Sequence, residues 1–357
     1  MNKKFRVLAI NPGSTSTKVG VYENEQCLCE EVIRYQTEEL APFAKVYDQY
    51  DFRLNDIKQI LDKWQIKLNS LDAVVGRGGP LKPISSGTYA VNEVMREDLK
   101  TGVQTEHASN LGGLLAYGLA STVDIPSFIV DPVSVDEMEP LARFTGLPEV
   151  RRRSLFHALN LKAVAHRVAK DLNRDYYDLN LVMVHLGGGI SVGAQRKGRM
   201  IDVADPNETG PFSPERAGSL PTSALLKMCF SGEYTVEQMK RKLVGQGGLV
   251  AHLGINDGRE IEKRIDQGDK LAAVAFEAMA YGVAKEIGAM CTTLLGDIDG
   301  IVLTGGLAHS KRLANWIRSR VEFIATVLVY PGEDELQALV EGALRVLRGE
   351  EEGKVYQ

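Results

Sequence analysis

A turn of small polar residues near the start of the chain carries groups that bind phosphate. Residues 11–18 read Asn-Pro-Gly-Ser-Thr-Ser-Thr-Lys and lie between two apolar runs. Backbone N–H groups, hydroxyls, an amide and an ammonium all suit phosphate oxygens. The spacing is not that of a Walker A loop, and an ordinary polar β-turn would have the same composition. The candidate phosphate contacts are Asn11, Ser14, Ser16 and Lys18.

A second turn, rich in glycine, repeats this plan at residues 185–191, which read His-Leu-Gly-Gly-Gly-Ile-Ser. Three consecutive glycines cost conformational entropy, so either a close ligand or a tight bulged hairpin should require them. A Rossmann turn would lead into a helix, whereas an apolar strand follows here, which argues against NAD binding. The candidate phosphate contacts are His185, Gly187, Gly188 and Gly189.

Other apolar runs also end in residues that could act on a ligand. Arg77 lies between glycines, where its guanidinium could bind a carboxylate or a phosphate through two hydrogen bonds. Asp131 ends a run at the edge where α/β sheets usually carry functional groups. Gly305 and Gly306 join a strand to a helix, an arrangement that accepts nucleotides. A loop arginine, a turn aspartate and an ordinary strand-to-helix turn are the alternatives.

Phe156 and His157 follow three consecutive arginines at residues 151–153. His157 could contact a transferred group, although a single histidine on a helix is more often structural. The arginines are most simply part of a solvated surface.

The stretches that must position these residues alternate between β-rich apolar runs and amphipathic helical runs, which predicts an α/β fold with mixed sheets. Strands are predicted at residues 5–10, 18–22, 73–75, 128–130, 181–184, 190–195, 300–303 and 326–329. Helices are predicted at residues 54–64, 106–120, 155–171, 222–230, 271–295, 311–320 and 335–347.

Length and composition indicate a globular protein of two domains. The chain has 357 residues, 44% of them hydrophobic and 25% charged, and its formal net charge is −5. This balance gives no sign of nucleic-acid or membrane binding, and no apolar run approaches the roughly 18 residues of a membrane span. The four cysteines have neither zinc-site nor disulfide-framework spacing, so we expect reduced thiols and a cytoplasmic location.

Taken in order, these segments resemble motifs of the acetate and butyrate kinase family, within the actin-like, sugar-kinase and Hsp70 superfamily. The acetate kinase segment N-A-G-S-S-S-x-K is similar to residues 11–18, H-R-V-V-H-G-G to 76–80, and F-D-T-A-F to 130–134. Further along, G-F-H-G is similar to residues 155–158, H-L-G-N-G to 185–189, T-G-G-I-G-E-N to 304–310, and P-T-x-E-E-L to 331–336. The resemblance covers nearly the whole chain.

The departures from acetate kinases favour butyrate as the substrate. The Asn-Pro-Gly opening reads like that of butyrate kinases, and the chain is shorter than a typical acetate kinase. Gly79 stands where acetate kinases have a valine that helps to close a small apolar pocket, which would leave room for a longer acid. Arg216 is matched to the arginine of G-T-R-x-G-D-I-D-P, although the aspartates of that motif are missing here.

The resemblance implies two RNase H-like domains of the actin-like ATPase type, with a nucleotide cleft between them. The first would comprise residues 1–133 and 336–357, because the last helix would return to it, and would bind the acid. The second, residues 134–335, would bind the nucleotide and form the interface of a homo-oligomer, a dimer or larger.

The resemblance also implies the reaction butyrate + ATP ⇌ butanoyl phosphate + ADP, by direct in-line transfer with Mg²⁺. The catalytic residues would be Arg77, Asp131, His157 and Arg216, and the acid would contact Arg77, Gly79 and Phe156. The phosphate-binding residues would be those named in the two turns, with Gly305 and Gly306 beside the adenosine. Asp131 and Glu335 would position the metal, directly or through water, with Asp334 as the substitute for Glu335.

Three alternatives stay open. The acid could be acetate, propionate or a branched-chain fatty acid. An ATP-binding regulator on the same fold would keep the glycine turns but would not need Arg77, His157 or Arg216. A structural α/β protein with incidental turns would give no reason for so many matched segments in order.

Overall fold

Residues 3–357 are described by a computed structural model, and they form two compact units. The first unit runs to Asp136 and resumes with Asp334–Gln357, whereas the second unit is Glu137–Glu333. Each unit contains one β-sheet with helices packed on it and has its own hydrophobic core.

In its described residues, the first unit contains seven strands and five α-helices. Its strands are β1 (Arg6–Pro12), β2 (Ser16–Glu23), β3 (Gln26–Arg34), β4 (Ala73–Arg77), β5 (Thr88–Ala90), β6 (Ser127–Val130) and β12 (Lys354–Val355). Its α-helices are α1 (Thr37–Leu40), α2 (Tyr50–Lys63), α3 (Glu93–Thr101), α4 (Asn110–Ala120) and α12 (Glu335–Leu347).

The first sheet brings the ends of β1 and β4 together. Its strand order is β12-β5-β6-β4-β1-β2-β3. β1, β2 and β3 form an antiparallel meander, while β4 and β6 run parallel to β1 on its other side. Except for Arg77, β4 is buried, as expected for a parallel strand covered by helices, here α4 and α12. Because Ile10 pairs with Gly76, Asn11 and Arg77 follow at adjacent strand ends.

The second unit contains five strands and seven α-helices. Its strands are β7 (Asn180–Leu186), β8 (Ile190–Arg196), β9 (Arg199–Ala204), β10 (Gly300–Gly305) and β11 (Val327–Pro331). Its α-helices are α5 (Ala158–Asp171), α6 (Thr222–Cys229), α7 (Val236–Leu243), α8 (Gly248–Leu253), α9 (Gly258–Asp266), α10 (Lys270–Thr293) and α11 (Lys311–Val321).

The second sheet repeats the plan of the first. In the strand order β11-β10-β7-β8-β9, the strands β7, β8 and β9 form an antiparallel meander, and β10 and β11 run parallel to β7. A meander with parallel strands added beside its first strand is the topology expected of an RNase H-like domain. The internal repeat noted in the sequence is therefore a repeat of topology as well.

The elements that the sequence did not predict lie mainly at sheet edges or are short. The third strand of the first meander, β3, is mostly exposed and contains Glu30, Glu31 and Arg34, so it lacks a continuous apolar run. The short strands β5 and β12 and the polar helices α3, α7 and α9 were missed for similar reasons. Within residues 3–357, no helix combines the length and apolar character that crossing a membrane requires.

Candidate active site

The tip of the turn between β1 and β2 exposes Ser14, one of the residues that the sequence predicted to bind phosphate. The N–H of Gly13 donates to the carbonyl oxygen of Ser16 at 2.7 Å and closes the turn, and Ser14 is exposed at its tip. Lys18 is not free to bind an anion in the same way, because its ammonium forms an ion pair with Glu30 at 2.7 Å. The tip is therefore accessible to an anion, whereas Lys18 would first have to leave Glu30.

Arg77 contacts a carboxylate in this structure. Its Nη1 lies 2.8 Å from Oε1 and 2.9 Å from Oε2 of Glu335. Asn11 completes the group, because its Nδ2 donates to Glu335 and its Oδ1 lies 3.4 Å from Nη1 of Arg77. We call these three side chains the arginine cluster. The Arg77 side chain is 37% exposed, so another carboxylate could reach its guanidinium by displacing Glu335.

Gly79 lies against helix α4. A Cβ atom added to Gly79 would lie 2.3 Å from Oδ1 and 2.8 Å from Cα of Asn110, which is too close for any side chain. Glycine is needed here for the close approach of loop and helix. Gly79 thus has a packing reason that the sequence analysis did not foresee, and its predicted role in leaving room for a longer acid stays a prediction.

Asp131 is buried directly after β6, with 3% of its surface exposed. Its Oδ1 accepts hydrogen bonds from the Ser86 hydroxyl at 2.6 Å and from the Gly87 N–H at 2.7 Å. Its φ of 38° lies in the left-handed region, which is uncommon for residues other than glycine and is often found at functional sites. Asp131 thus fixes the adjoining loop, and its catalytic role stays a prediction.

The residues predicted to position Mg²⁺ do not form a preassembled metal site. Among residues 3–357, no group of three or more His, Cys, Asp or Glu side chains could hold a metal ion. Asp131 binds its loop, and Glu335 binds Arg77 and Asn11. Magnesium carried by a nucleotide needs only one or two protein carboxylates and keeps several waters. The more exposed Glu335 fits that requirement better than the buried Asp131.

The three consecutive acids at residues 333–335 have three different partners. Asp334 is the N-cap of α12, where its Oδ1 accepts the N–H of Gln337 at 3.3 Å. Glu335 belongs to the arginine cluster of the first unit, whereas Glu333 belongs to the second unit. Asp334 therefore has a local structural task that Glu335 does not share.

Two histidine rings stack in the second unit beside the β7–β8 turn. The ring centroids of His157 and His185 lie 3.8 Å apart, with the planes 10° from parallel. Nδ1 of His157 lies 2.9 Å from the Ser191 hydroxyl, and Nδ1 of His185 lies 2.8 Å from Oδ1 of Asn160. The structure thus brings together two predicted site residues, and Ser191 and Asn160 fix their ring orientations.

Glu333, which the sequence analysis missed, completes this histidine pair. Its Oε1 lies 3.2 Å from Nε2 of His185 and accepts the N–H of Gly306 at 3.2 Å. The hydrogen bond with His185 is the main cause that lowers the pKa of Glu333 to about 2. The carboxyl is therefore ionised at neutral pH. Its position two residues beyond the end of β11 is the signal that could have identified it.

Arg216 packs against Gly189 in the β7–β8 turn. A Cβ atom at Gly189 would lie 2.3 Å from the Arg216 guanidinium, so the glycine makes room for this arginine. Burial lowers the pKa of Arg216, while the nearby Asp205 and Glu215 act in the opposite direction. An arginine pKa stays far above neutrality despite such shifts, so the turn has a positive charge in contact with it.

A cavity of about 680 Å³ lies beside the glycine turns of the second unit, within the ~300–1,000 Å³ typical of small-molecule sites. Its lining includes residues of both glycine turns, the start of helix α9 and the segments around it, among them Gly187, Gly188, Gly306, Leu307, Gly258, Asn256, Ser310 and Glu333. Gly305, the last residue of β10, immediately precedes the lining residue Gly306. Phe156 is only 2% exposed and therefore offers little surface to an acid.

Solved structures with the same fold are known. An acetate kinase from Porphyromonas gingivalis has a TM-score of 0.79 and 18% identity, over 95% of this chain and 99% of that one. An acetate kinase from Entamoeba histolytica has a TM-score of 0.75 and 18% identity, over 95% of this chain and 99% of that one. A propionate kinase from Francisella tularensis subsp. tularensis SCHU S4 has a TM-score of 0.73 and 18% identity, over 94% of this chain and 98% of that one. At this identity they establish the fold and confirm the predicted fold class.

The sequence itself carries the family assignment. The family model described as Acetokinase family matches residues 147–325, just over half of the chain. The matched segment contains the stacked histidines, the β7–β8 turn and Arg216. The chain therefore belongs to the acetokinase family, a family of carboxylate kinases.

Proposed function

We propose that this protein is a butyrate kinase, which transfers the γ-phosphate of ATP to and from butyrate with formation of butanoyl phosphate and ADP. Membership of the acetokinase family supports a carboxylate as the acceptor. The Asn-Pro-Gly opening at residues 11–13 supports butyrate. The contact between Arg77 and the Glu335 carboxylate carries the proposal, because a guanidinium that binds one carboxylate through short contacts is suited to bind another.

The chemistry asks for positioning and charge rather than for a base. A carboxylate acceptor is already ionised at pH 7, since carboxyl groups titrate near pH 4. Kinases that phosphorylate a hydroxyl need an aspartate to accept its proton, whereas this reaction does not. Arg77 would hold the acid, and Arg216 would stabilise the charge on the equatorial oxygens of the transferred phosphoryl group.

The second unit would bind the nucleotide. The 680 Å³ cavity has room for adenosine beside Gly305 and Gly306, and its glycine turns allow close approach of phosphates. His157 and His185 would hydrogen-bond the transferred group or the leaving phosphate. In the first unit, Asn11, Ser14, Ser16 and Lys18 would contact phosphate oxygens.

Mg²⁺ bound to ATP would neutralise part of the phosphate charge, with Glu335, and Asp131 through water, as its protein contacts. Because Glu335 binds Arg77 in this structure, it would exchange that partner when acid and nucleotide bind. Glu335 would thereby remain the partner of Arg77 until the carboxylate of an acid substrate takes its place.

ATP synthesis from ADP and butanoyl phosphate tests the proposal in the direction that an acyl phosphate favours. We expect Mg²⁺-dependent ATP formation that is faster with butanoyl phosphate than with acetyl phosphate. Faster reaction with acetyl or propanoyl phosphate would show that the substrate is the shorter acid and not butyrate. ATP binding without ATP formation from any acyl phosphate would instead favour a regulator built on this fold.

A further inference from the structure

Arg53 binds the back of the first phosphate turn. It lies on α2, its side chain is 0% exposed, and none of the sequence motifs includes it. Its Nη1 donates to the carbonyl oxygens of Gly13 at 2.8 Å and Ser16 at 3.0 Å, and to the Thr17 hydroxyl at 3.0 Å. Its Nη2 donates to the carbonyl oxygen of Ser14 at 3.2 Å. One guanidinium therefore binds three carbonyl groups of a single turn.

The turn is thereby oriented with its donors outward. The remaining carbonyl at its tip, that of Thr15, accepts the N–H of Tyr35 at 2.9 Å. The N–H groups of Ser14 and Thr15 have no acceptor among residues 3–357, and both residues are exposed. With the carbonyl oxygens bound from behind, these N–H groups are available to an anion in solution.

No carboxylate forms an ion pair with Arg53 among the described residues. No Asp or Glu oxygen among the described residues lies within 4 Å of its guanidinium, and its other contacts are Oε1 of Gln49 at 2.8 and 3.0 Å and the ring of Tyr35 at 4.7 Å. Asp56, one turn further along α2, forms no ion pair with Arg53, although its negative charge acts on the guanidinium from further away. Burial lowers the pKa of Arg53, yet arginine remains charged in proteins.

We infer that Arg53 is a positioning residue that holds this turn in its anion-binding form and adds behind it a positive charge that no ion pair neutralises. A buried cation normally has a carboxylate partner, because its desolvation is otherwise unfavourable. Here a bound phosphate would add a negative charge on the other side of the turn, where the described residues provide no ion-pair partner for Arg53. This inference rests on the proposed function, in which the turn contacts the phosphates of the substrates.

Gln49→Glu separates the two roles of Arg53. The substitution is close to isosteric and would give Arg53 a carboxylate partner at the position where it now contacts an amide oxygen. The turn keeps its support, but the positive charge is neutralised. Substituting Arg53 itself would remove support and charge together and could not distinguish them. Gln59→Glu, the same change at an exposed position of α2, is the matched control.

Calorimetric titration with ATP, without any acid, measures the effect independently of turnover. We expect Gln49→Glu to weaken ATP binding roughly 5- to 30-fold at low salt, with a smaller effect at high salt. Its thermal unfolding temperature should be equal to or above that of the wild type, because an ion pair replaces a hydrogen bond from a charged donor to a neutral acceptor. Gln59→Glu should change the ATP affinity less than about twofold, since its charge is exposed to solvent.

The outcomes are distinguishable from failure of the proposed function. Unchanged ATP affinity in Gln49→Glu, or a lowered unfolding temperature, would overturn the role of Arg53. Weakened ATP binding with no salt dependence would overturn the electrostatic part. Wild-type protein that binds ATP but phosphorylates no carboxylate would refute the kinase proposal, and the ATP titrations would still decide the role of Arg53.

Discussion

The turns after β1 and β7 occupy equivalent positions in two sheets of the same topology, yet they are supported in different ways. The first has a tip of small polar residues, and Arg53 binds its carbonyl groups without a carboxylate partner. The second has three glycines, of which Gly189 contacts Arg216, and its histidine pairs with Glu333. Arg216 has two acidic neighbours, Asp205 and Glu215, whereas Arg53 has one, Asp56. Topology thus sets where the donors lie, while side chains from distant elements set the charge around each turn.

The largest effect is expected in the first unit, from Arg77→Ala. Removal of a cation that stabilises the transition state should lower butanoyl phosphate formation by roughly 10²–10³-fold. ATP affinity should stay nearly unchanged, because Arg77 is proposed to hold the acid rather than the nucleotide. Arg96→Ala is the matched control, since Arg96 also pairs with a glutamate and is similarly exposed. Activity within a few-fold of wild type would remove Arg77 from the site.

Gly79→Ala should act on stability rather than on the choice of acid. The added methyl group would collide with Asn110, and such overpacking destabilises by about 1–3 kcal/mol. Thermal unfolding measures that loss, and the butyrate-to-acetate ratio of the folded protein should not change. Gly146→Ala, with nothing within 4 Å of the added atom, is the control. A stable variant with a changed ratio would support the predicted role of Gly79 in leaving room for a longer acid.

Glu335→Gln should reveal which partner this carboxylate serves. Loss of the charge frees Arg77, so KM for butyrate should fall roughly two- to fivefold, in line with the weak energies of exposed ion pairs. The Mg²⁺ concentration for half-maximal activity should rise at fixed ATP. Asp334→Asn, which changes only the cap of α12, is the control. An unchanged Mg²⁺ midpoint would remove Glu335 from the proposed metal contacts.

Glu333→Gln tests the second turn and should have the smallest effect. The pKa of Glu333 is lowered to about 2 from an ordinary 4.5, so ionised Glu333 stabilises the fold above that ordinary value. This contribution is lost as pH falls from about 4.5 through 2. Because the Glu333 side chain is 42% exposed, we expect Glu333→Gln to lower the unfolding temperature by only about 1–3 °C at pH 7. Equal differences in unfolding temperature at pH 7 and pH 3 would contradict this account.

The sequence predicted those parts of the site that depend on local signals. Glycines and polar residues that follow apolar runs identified the turns, Arg77 and Asp131 without any structure. Arg53 and Asn160 could not be found in this way, because they reach the turns from helices that are distant in the chain. Glu333 was not distinguished from the two acids after it, because only the path of the chain beyond β11 separates their partners.

Most of the fold was predictable for the same reason. The prediction of strands and helices failed where local signals are weak. The central strands β4 and β7 are continuous apolar runs, which bury both faces and are easily recognised. The edge strand β3 is largely exposed and charged, so its sequence resembles a loop. The meaning of Gly79 was also missed, because the helix that excludes its side chain begins about thirty residues later.

The most direct test of the central claim is the rate of acyl phosphate formation from ATP and Mg²⁺ with acetate, propionate, butyrate, valerate and branched acids, each trapped with hydroxylamine. A carboxylate kinase with a butyrate pocket should produce hydroxamate with kcat/KM roughly 15-fold higher for butyrate than for acetate, since two buried methylenes contribute ~0.8 kcal/mol each. A preference for acetate or propionate would contradict the choice of butyrate. No acid-dependent product from any member of the series would contradict the carboxylate kinase itself.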